Sequence, residues 1–298
     1  MSTLTLAPAT DGQVRQLARV ASDAAEKAVR YYENLSKDGA QRVHGNPEFA
    51  VRIREATILA IAELSVSDRY ADEEERSSYT YPNEYDGPKP IEEQIKAIAE
   101  IFSLDPMQAL EYAKHLPELP AGAEGWFAIP KWQTIAPTYA EAVHKVLDAI
   151  KQARNGKFYN YRDGQIVNER LRQSVKTEAV FQKLCEEQKD HDILVVAAQF
   201  GLRHRGRSVR RAREVMQANE CGLGAFAVGI MLLTHSKRLS HYDDLWIDCV
   251  GDEYSPGAGD RFDFAPRFSF RDGGVRFDAR WVDDARDFYG SVSAFLPQ

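Results

Sequence analysis

Asp192-Ile193-Leu194-Val195-Val196-Ala197-Ala198 opens the most informative stretch of the 298-residue chain, and Gln199-Phe200-Gly201-Leu202-Arg203-His204-Arg205-Gly206-Arg207-Ser208 follows it directly. The first segment is continuously apolar and partly β-branched, without the alternation of a half-exposed strand. Such a run predicts a strand buried on both faces, as in a parallel sheet. Ser208 then caps a helix running to about Glu220, with Gly222 as its stop. Residues 224–234 read as a buried helix, with a strand as the alternative. Leu245-Trp246-Ile247-Asp248-Cys249-Val250 reads as a second core strand, and helix-linked strands of this kind imply a parallel arrangement.

Upstream, apolar residues recur at helical spacing. Val14, Leu17, Val20, Ala24 and Ala28 mark a helix over 13–35, and Phe49, Ile53, Ala56, Ile58, Leu59 and Ala62 mark another over 47–66. Residues 68–90 read as a loop, because an acidic run, Asp72-Glu73-Glu74-Glu75, precedes four tyrosines interleaved with prolines. Two short helices are expected at 91–103 and 105–115. Thr138 and Glu141 form a capping box for a helix to about Ala153, and a further helix covers 168–189. In the tail, Phe262, Phe264, Phe268, Phe270, Val275 and Phe277 alternate with polar residues around Arg271-Asp272-Gly273-Gly274, which predicts a hairpin. A short helix is expected at 282–289.

The expected fold class is therefore mixed α/β. A helical N-terminal half precedes a C-terminal half with a core parallel sheet, flanking helices and a C-terminal β-hairpin. The division is placed between a mostly helical region, 1–125, and an α/β region, 126–298, which either stand apart or form one continuous domain.

Composition narrows the function classes. The formal net charge of −7 argues against a general coater of duplex DNA, because that affinity comes from neutralising phosphates with Lys and Arg. The three cysteines, Cys185, Cys221 and Cys249, are far apart and form no CxxC or Cys/His cluster, so a structural zinc site is not expected. Unpaired thiols fit a reducing compartment. Residues 1–12 show no secretory leader, and the longest apolar run, 225–233, is too short to span a bilayer. The expectation is a soluble, cytoplasmic chain with no membrane partner.

Two places stand out for chemistry. The basic turn follows a core strand and precedes a helix, where ligands bind in open α/β sheets. Arg203, Arg205 and Arg207 supply forked donors, Gly206 allows close backbone approach, and Ser208 can cap or donate, so these five are the anion-binding candidates. The spacing matches neither the Walker A nor the Rossmann pattern. A solvated basic turn accounts for the same residues. The second place is the acidic loop. Asp248, Asp252 and Glu253 are candidate ligands for Mg²⁺ or Mn²⁺, with Asp252 and Glu253 also candidate bases and His204 a candidate proton shuttle. Helix-capping or solvated carboxylates are the plainer account. Cys249, inside an apolar strand, reads as a packed thiol.

The functional expectation is an enzyme or binding protein acting on a phosphorylated small molecule or nucleotide, metal-assisted if the carboxylates converge. One rival is a nucleic-acid-binding protein using the arginine face over 203–213 with Trp126 and Trp132. A second is a non-catalytic interaction protein using the tyrosine-rich loop and the C-terminal hairpin.

Overall fold

The apolar run 193–198 does form a fully buried strand, but its neighbours run the other way. In the computed structural model, which describes residues 10–32, 35–64, 69–257 and 261–296, the chain divides into two compact units, Met1–Val66 and Ser67–Gln298. The first nine residues, inspected above for a leader, lie outside the described residues, as do 65 and 66 at the end of the second expected helix and the side chains of Ile58, Leu59 and Ala62.

The first unit is helical. Helix α1 (Asp11–Tyr31) begins at a capping box between Thr10 and Gln13, and α2 (Lys37–His44) begins at Ser36. Helix α3 spans Pro47–Leu64. The apolar side chains that predicted α1 are exposed, Val14, Leu17, Val20 and Val29 among them, and the helix buries no residue.

The second unit opens with α4 (Ile91–Phe102) and α5 (Met107–Tyr112). Strand β1 (Gly125–Pro130) leads through α6 (Trp132–Ile135) into α7 (Tyr139–Ala153), whose first turn is capped by Thr138, accepting from the Glu141 amide. Then follow β2 (Phe158–Asn160), β3 (Leu171–Gln173), α8 (Val175–Glu187) and β4 (Ile193–Gln199). The expected helix over 168–189 is shortened because Ser174 caps it and the residues before it pair as β3. Helix α9 (Val209–Val215) starts at Ser208 as expected but stops early, and Glu220–Gly222 is strand β5. Helix α10 (Ala225–Thr234) is apolar all round and almost wholly buried, as a core helix should be.

The remainder is sheet: β6 (Trp246–Asp248), β7 (Asp252–Tyr254), β8 (Phe264–Arg271), β9 (Gly274–Trp281), β10 (Tyr289–Ser291) and β11 (Ser293–Phe295). The hairpin β8–β9 turns at Asp272 and Gly273, both with positive φ, the geometry of a tight two-residue turn. The helix expected at 282–289 is absent among the described residues, and its last residue begins β10.

Two sheets result. One has the order β1-β4-β11-β5 and is antiparallel throughout. The other runs β10-β6-β8-β7-β3, with β9 on β8 and β2 on β9. Its parallel pairs are β10–β6 and β2–β9. The core sheet expected to be parallel is thus antiparallel around β4, and β4 and β6 belong to different sheets. The reason is physical. A continuous apolar run reports burial on both faces and says nothing of strand direction, and here α4, α5 and α10 pack on β1 and β4. The C-terminal strand β11 then fills the slot between β4 and β5.

Val292 joins the sheets, its amide donating to Asp248 O and its carbonyl accepting from the Leu223 amide. Arg238, wholly buried, donates to Phe200 O and Leu245 O and so ties the exit of β4 to the entrance of β6. No helix among the described residues is long and apolar enough to cross a membrane.

Candidate functional site

The basic turn is already full of carboxylates, and they are the chain's own. The acidic run lies antiparallel on it: Glu74 bridges Arg207, the Glu75 amide donates to Gly206 O at 2.6 Å, and the Ser208 amide donates to Glu73 O at 3.1 Å. The Glu73 carboxylate takes the Ser208 hydroxyl at 2.6 Å and the Arg210 guanidinium at 2.7 Å. Glu74 takes Arg211 and lies 3.3 Å from Arg207. Burial opposes ionisation of both carboxyls, but these arginine and hydroxyl donors outweigh it and hold them below their ordinary range.

Behind this acidic strap sits a second carboxylate, Glu220, with no exposed surface. It accepts from His204 Nε2 at 2.7 Å, Ser293 Oγ at 2.5 Å and Arg203 at 3.3 Å. Burial pushes its pKa up, yet His204, Ser293 and Arg203 pull it down to about 2. The other ring nitrogen of His204, Nδ1, faces Arg207 Nη1 at 3.1 Å. His204 is therefore a neutral, buried imidazole with both nitrogens committed, its pKa lowered by burial against the pull of Glu220. A proton shuttle needs a free face, and this ring has none. Of the five anion-binding candidates, Arg203, Arg207 and Ser208 are satisfied internally. Gly206 serves the strap, and the exposed Arg205 alone makes no ion pair among the described residues.

Gly206 shows how close the strap lies. Its φ is +78°, and a Cβ there would sit 2.1 Å from Glu75 O. Replacing Gly206 with alanine should cost about 2 kcal/mol, because the left-handed backbone and the clash act together. Urea unfolding measures this, and an unchanged midpoint would mean that the strap is not pinned at this residue.

The acidic candidates disperse. Asp248 lies in β6 directly opposite Arg267 of β8 and Ser291 of β10, and burial, opposed by Arg267, pushes its pKa up to about 7. Glu253 pairs with Arg172 at 2.8 Å. Asp252 turns inward, accepting from the Tyr139 hydroxyl at 2.8 Å and from the Ala225 amide at 2.7 Å, where it caps α10 from across the chain. Among the described residues no three such side chains converge to hold a metal ion. Cys249 is a packed thiol, wholly buried, with its pKa pushed up by burial.

Asp252 leads to a feature that reading the chain did not find. Tyr139, its partner, lines a recessed cavity of about 320 Å³ between β1, α6, α8 and α10. Trp132, Phe181 and Phe226 supply further aromatic wall, Gln133, Gln173 and Gln182 polar edge, and the half-buried Cys185 a thiol. Two larger depressions, one beside Asp148 and Gly156 and one beside Ser78 and Asp244, lie open at the surface. Asp252 itself is held up to about 7 by burial, against the pull of the Ala225 amide and Tyr139. A cavity with aromatic walls and a few polar groups, one wall residue of which bonds a buried carboxyl held up to about 7, has the makings of a ligand site. The chain signalled two parts of it, Trp132, named above as a candidate contact, and the Thr138 cap that fixes where Tyr139 starts its helix. No family model, curated protein or solved structure matches the chain.

Proposed function

We propose that the chain binds a small planar organic molecule in the cavity beside Tyr139. The aromatic walls favour a flat ring, by offset stacking or edge-to-face contact. The three glutamines offer both donors and acceptors, which suits a heterocycle with amide-like edges more than a phosphate. Lys131, the cation on the wall, already donates to Gln188 O and Lys189 O. The basic turn is a poorer home for the phosphorylated ligand or nucleotide expected there, since its donors face Glu73, Glu74 and Glu220. The observation that carries the reading is the Tyr139–Asp252 hydrogen bond. It links the cavity wall to a group that changes charge near neutral pH, so affinity should vary with pH.

The test is a titration with nucleobases, indoles and related heterocycles, read by alkylation of Cys185 with iodoacetamide. A true ligand slows Cys185 labelling while it quenches emission that Trp132→Phe removes. If no compound protects Cys185, or if protection is the same after Phe226→Ala and Gln182→Leu together, the cavity is not the site.

A further inference from the structure

Cross-strand partners point to the same face of a sheet. The pairings Tyr289–Trp246, Asp248–Arg267, Ser269–Arg276, Arg267–Asp278 and Arg276–Tyr159 therefore put Tyr289, Trp246, Arg267, Arg276 and Tyr159 on one side of the larger sheet. Arg271 and Arg280 share that side by the two-residue period. The side is a lattice of arginines and rings. Arg267 lies 4.8 Å over Tyr289 and 4.5 Å over Trp246, Arg271 lies 4.5 Å over Trp246 and 5.6 Å over Tyr242, and Arg276 lies 5.5 Å over Tyr161.

The lattice starts in the interior and ends in solvent. Trp246 and Tyr289 are 5% and 4% exposed, whereas Tyr161, Tyr159 and Tyr242 are 44%, 57% and 63% exposed. Buried rings with arginines over them are structural. Tyr161 and Tyr242 also meet arginines, yet both rings, like that of Tyr159, keep an exposed surface. Tyr159 and Tyr161 stand with ring centroids 4.5 Å apart.

Over β2, β8, β9 and the turn between the last two, the charge is opposite to that of the chain. Strands β2, β8 and β9 and the β8–β9 turn contain Arg267, Arg271, Arg276 and Arg280 against Asp272 and Asp278. Asp272 is taken by Arg276, and Asp278 pairs with Arg162 at 2.8 Å. Among the described residues Arg271 and Arg280 meet no carboxylate, and the buried Arg271 Nε has no hydrogen-bond partner. A chain of net charge −7 thus keeps two guanidinium groups without a carboxylate on this side of the sheet, Arg271 lying 5.6 Å over the exposed Tyr242 ring.

We propose that this sheet face binds single-stranded nucleic acid. Bases stack on Tyr159, Tyr161 and Tyr242, and the backbone phosphates meet Arg271 and Arg280. Stacking platforms flanked by cations are the general solution for single strands, because every base has a π-face. The bases of a duplex are already stacked on one another and unavailable to the tyrosines. The proposed contacts are distinct from Arg207, Arg210 and Arg211, which the acidic strap pairs, and the inference does not depend on the cavity reading.

Fluorescence anisotropy with labelled oligo-dT and oligo-U of about 12 nucleotides, within the site sizes such surfaces cover, tests it. Binding at low salt is expected, with RNA and DNA arms showing whether the 2′-hydroxyl matters. Tyr159→Ala with Tyr161→Ala should weaken binding roughly tenfold or more. Arg280→Ala should flatten the salt dependence, and Tyr159→Phe should bind as the parent does. Both tyrosines are exposed, so an unchanged Tm confirms that the variants are folded. No binding at low salt overturns the proposal. So does equal binding by the Tyr159/Tyr161 variant, a preference for duplex, or equal capture of polyglutamate, which would mark an acidic-protein surface instead.

Discussion

Glu220→Ala is expected to be the most damaging single substitution in the second unit, costing about 3–5 kcal/mol, because it removes a buried acceptor and leaves more than one buried donor unpaired. Stabilities of 5–15 kcal/mol are usual for whole domains, so the variant should be largely unfolded at 37 °C or close to it. The carboxylate has no exposed surface and accepts from His204, Ser293, Arg203 and the Gln217 amide. Alanine would leave the His204 and Ser293 donors dry and unpaired and would remove the partner of Arg203 and of the Gln217 amide, on residues contributed by the basic turn, by β11 and by the segment before β5. The pH dependence carries a separate signature. The Glu220 carboxyl moves from an ordinary 4.5 to about 2 in the folded chain. Its contribution is therefore fully present above about pH 4.5 and disappears as the pH falls towards 2, a change of about 3 kcal/mol. Glu220→Gln keeps the shape and cannot ionise, so it should lose less stability than alanine and lack that acid limb. Urea unfolding between about pH 3 and pH 7 reads both effects, and an acid limb unchanged in the glutamine variant would place the titration elsewhere.

The basic turn shows why part of this molecule was legible in its sequence and part was not. Ser208 as a cap, Asp272-Gly273 as a turn and Thr138 as a cap are local signals, each decided by residues within four positions, and each stands where local chemistry puts it. The buried run of β4 was equally plain. Its partners were not, because the slot beside it is filled by a strand from the far end of the chain. The arginines around 203–211 carry positive charge that needs carboxylates nearby, and the chain supplies Glu73, Glu74 and Glu220. The acidic run at 72–75 was seen too, as a loop. The joining of the two across 135 residues, from Ser208 to Glu73, lies in no local pattern, so the demand was assigned to an external ligand. Tyr139 and Asp252 meet across 113 residues for the same reason. Of the acidic trio, the side chain of Asp252 alone touches a cavity-lining residue, which neither spacing nor charge announced.

Asp252→Asn should do the opposite of Glu220→Ala and stabilise the chain, increasingly so above about pH 4. The Asp252 carboxyl moves from an ordinary 3.8 up to about 7 on folding, chiefly through burial. Between those values the folded chain binds a proton that the unfolded chain releases. Stability therefore falls as the pH climbs from about 4 to about 7 and levels off beyond, the full penalty being on the order of 4 kcal/mol. Asparagine resembles the protonated acid. Its Oδ1 can still cap the Ala225 amide and its Nδ2 can donate to the Tyr139 oxygen, so the hydrogen bonds survive without a charge to desolvate. At about pH 4 the variant should match the parent, and at about pH 8 it should exceed it by a few kcal/mol. Some slope should remain, because Asp248 is also held up to about 7, and Asp248→Asn in addition should remove it. The Glu220 and Asp252 titrations run in opposite directions over different pH ranges, so one set of unfolding curves separates them. If Asp252→Asn left the fall from pH 4 to 7 intact, Asp252 would be an ordinary ionised cap. The cavity would then border no group able to exchange a proton near neutrality, and ligand affinity there should be indifferent to pH.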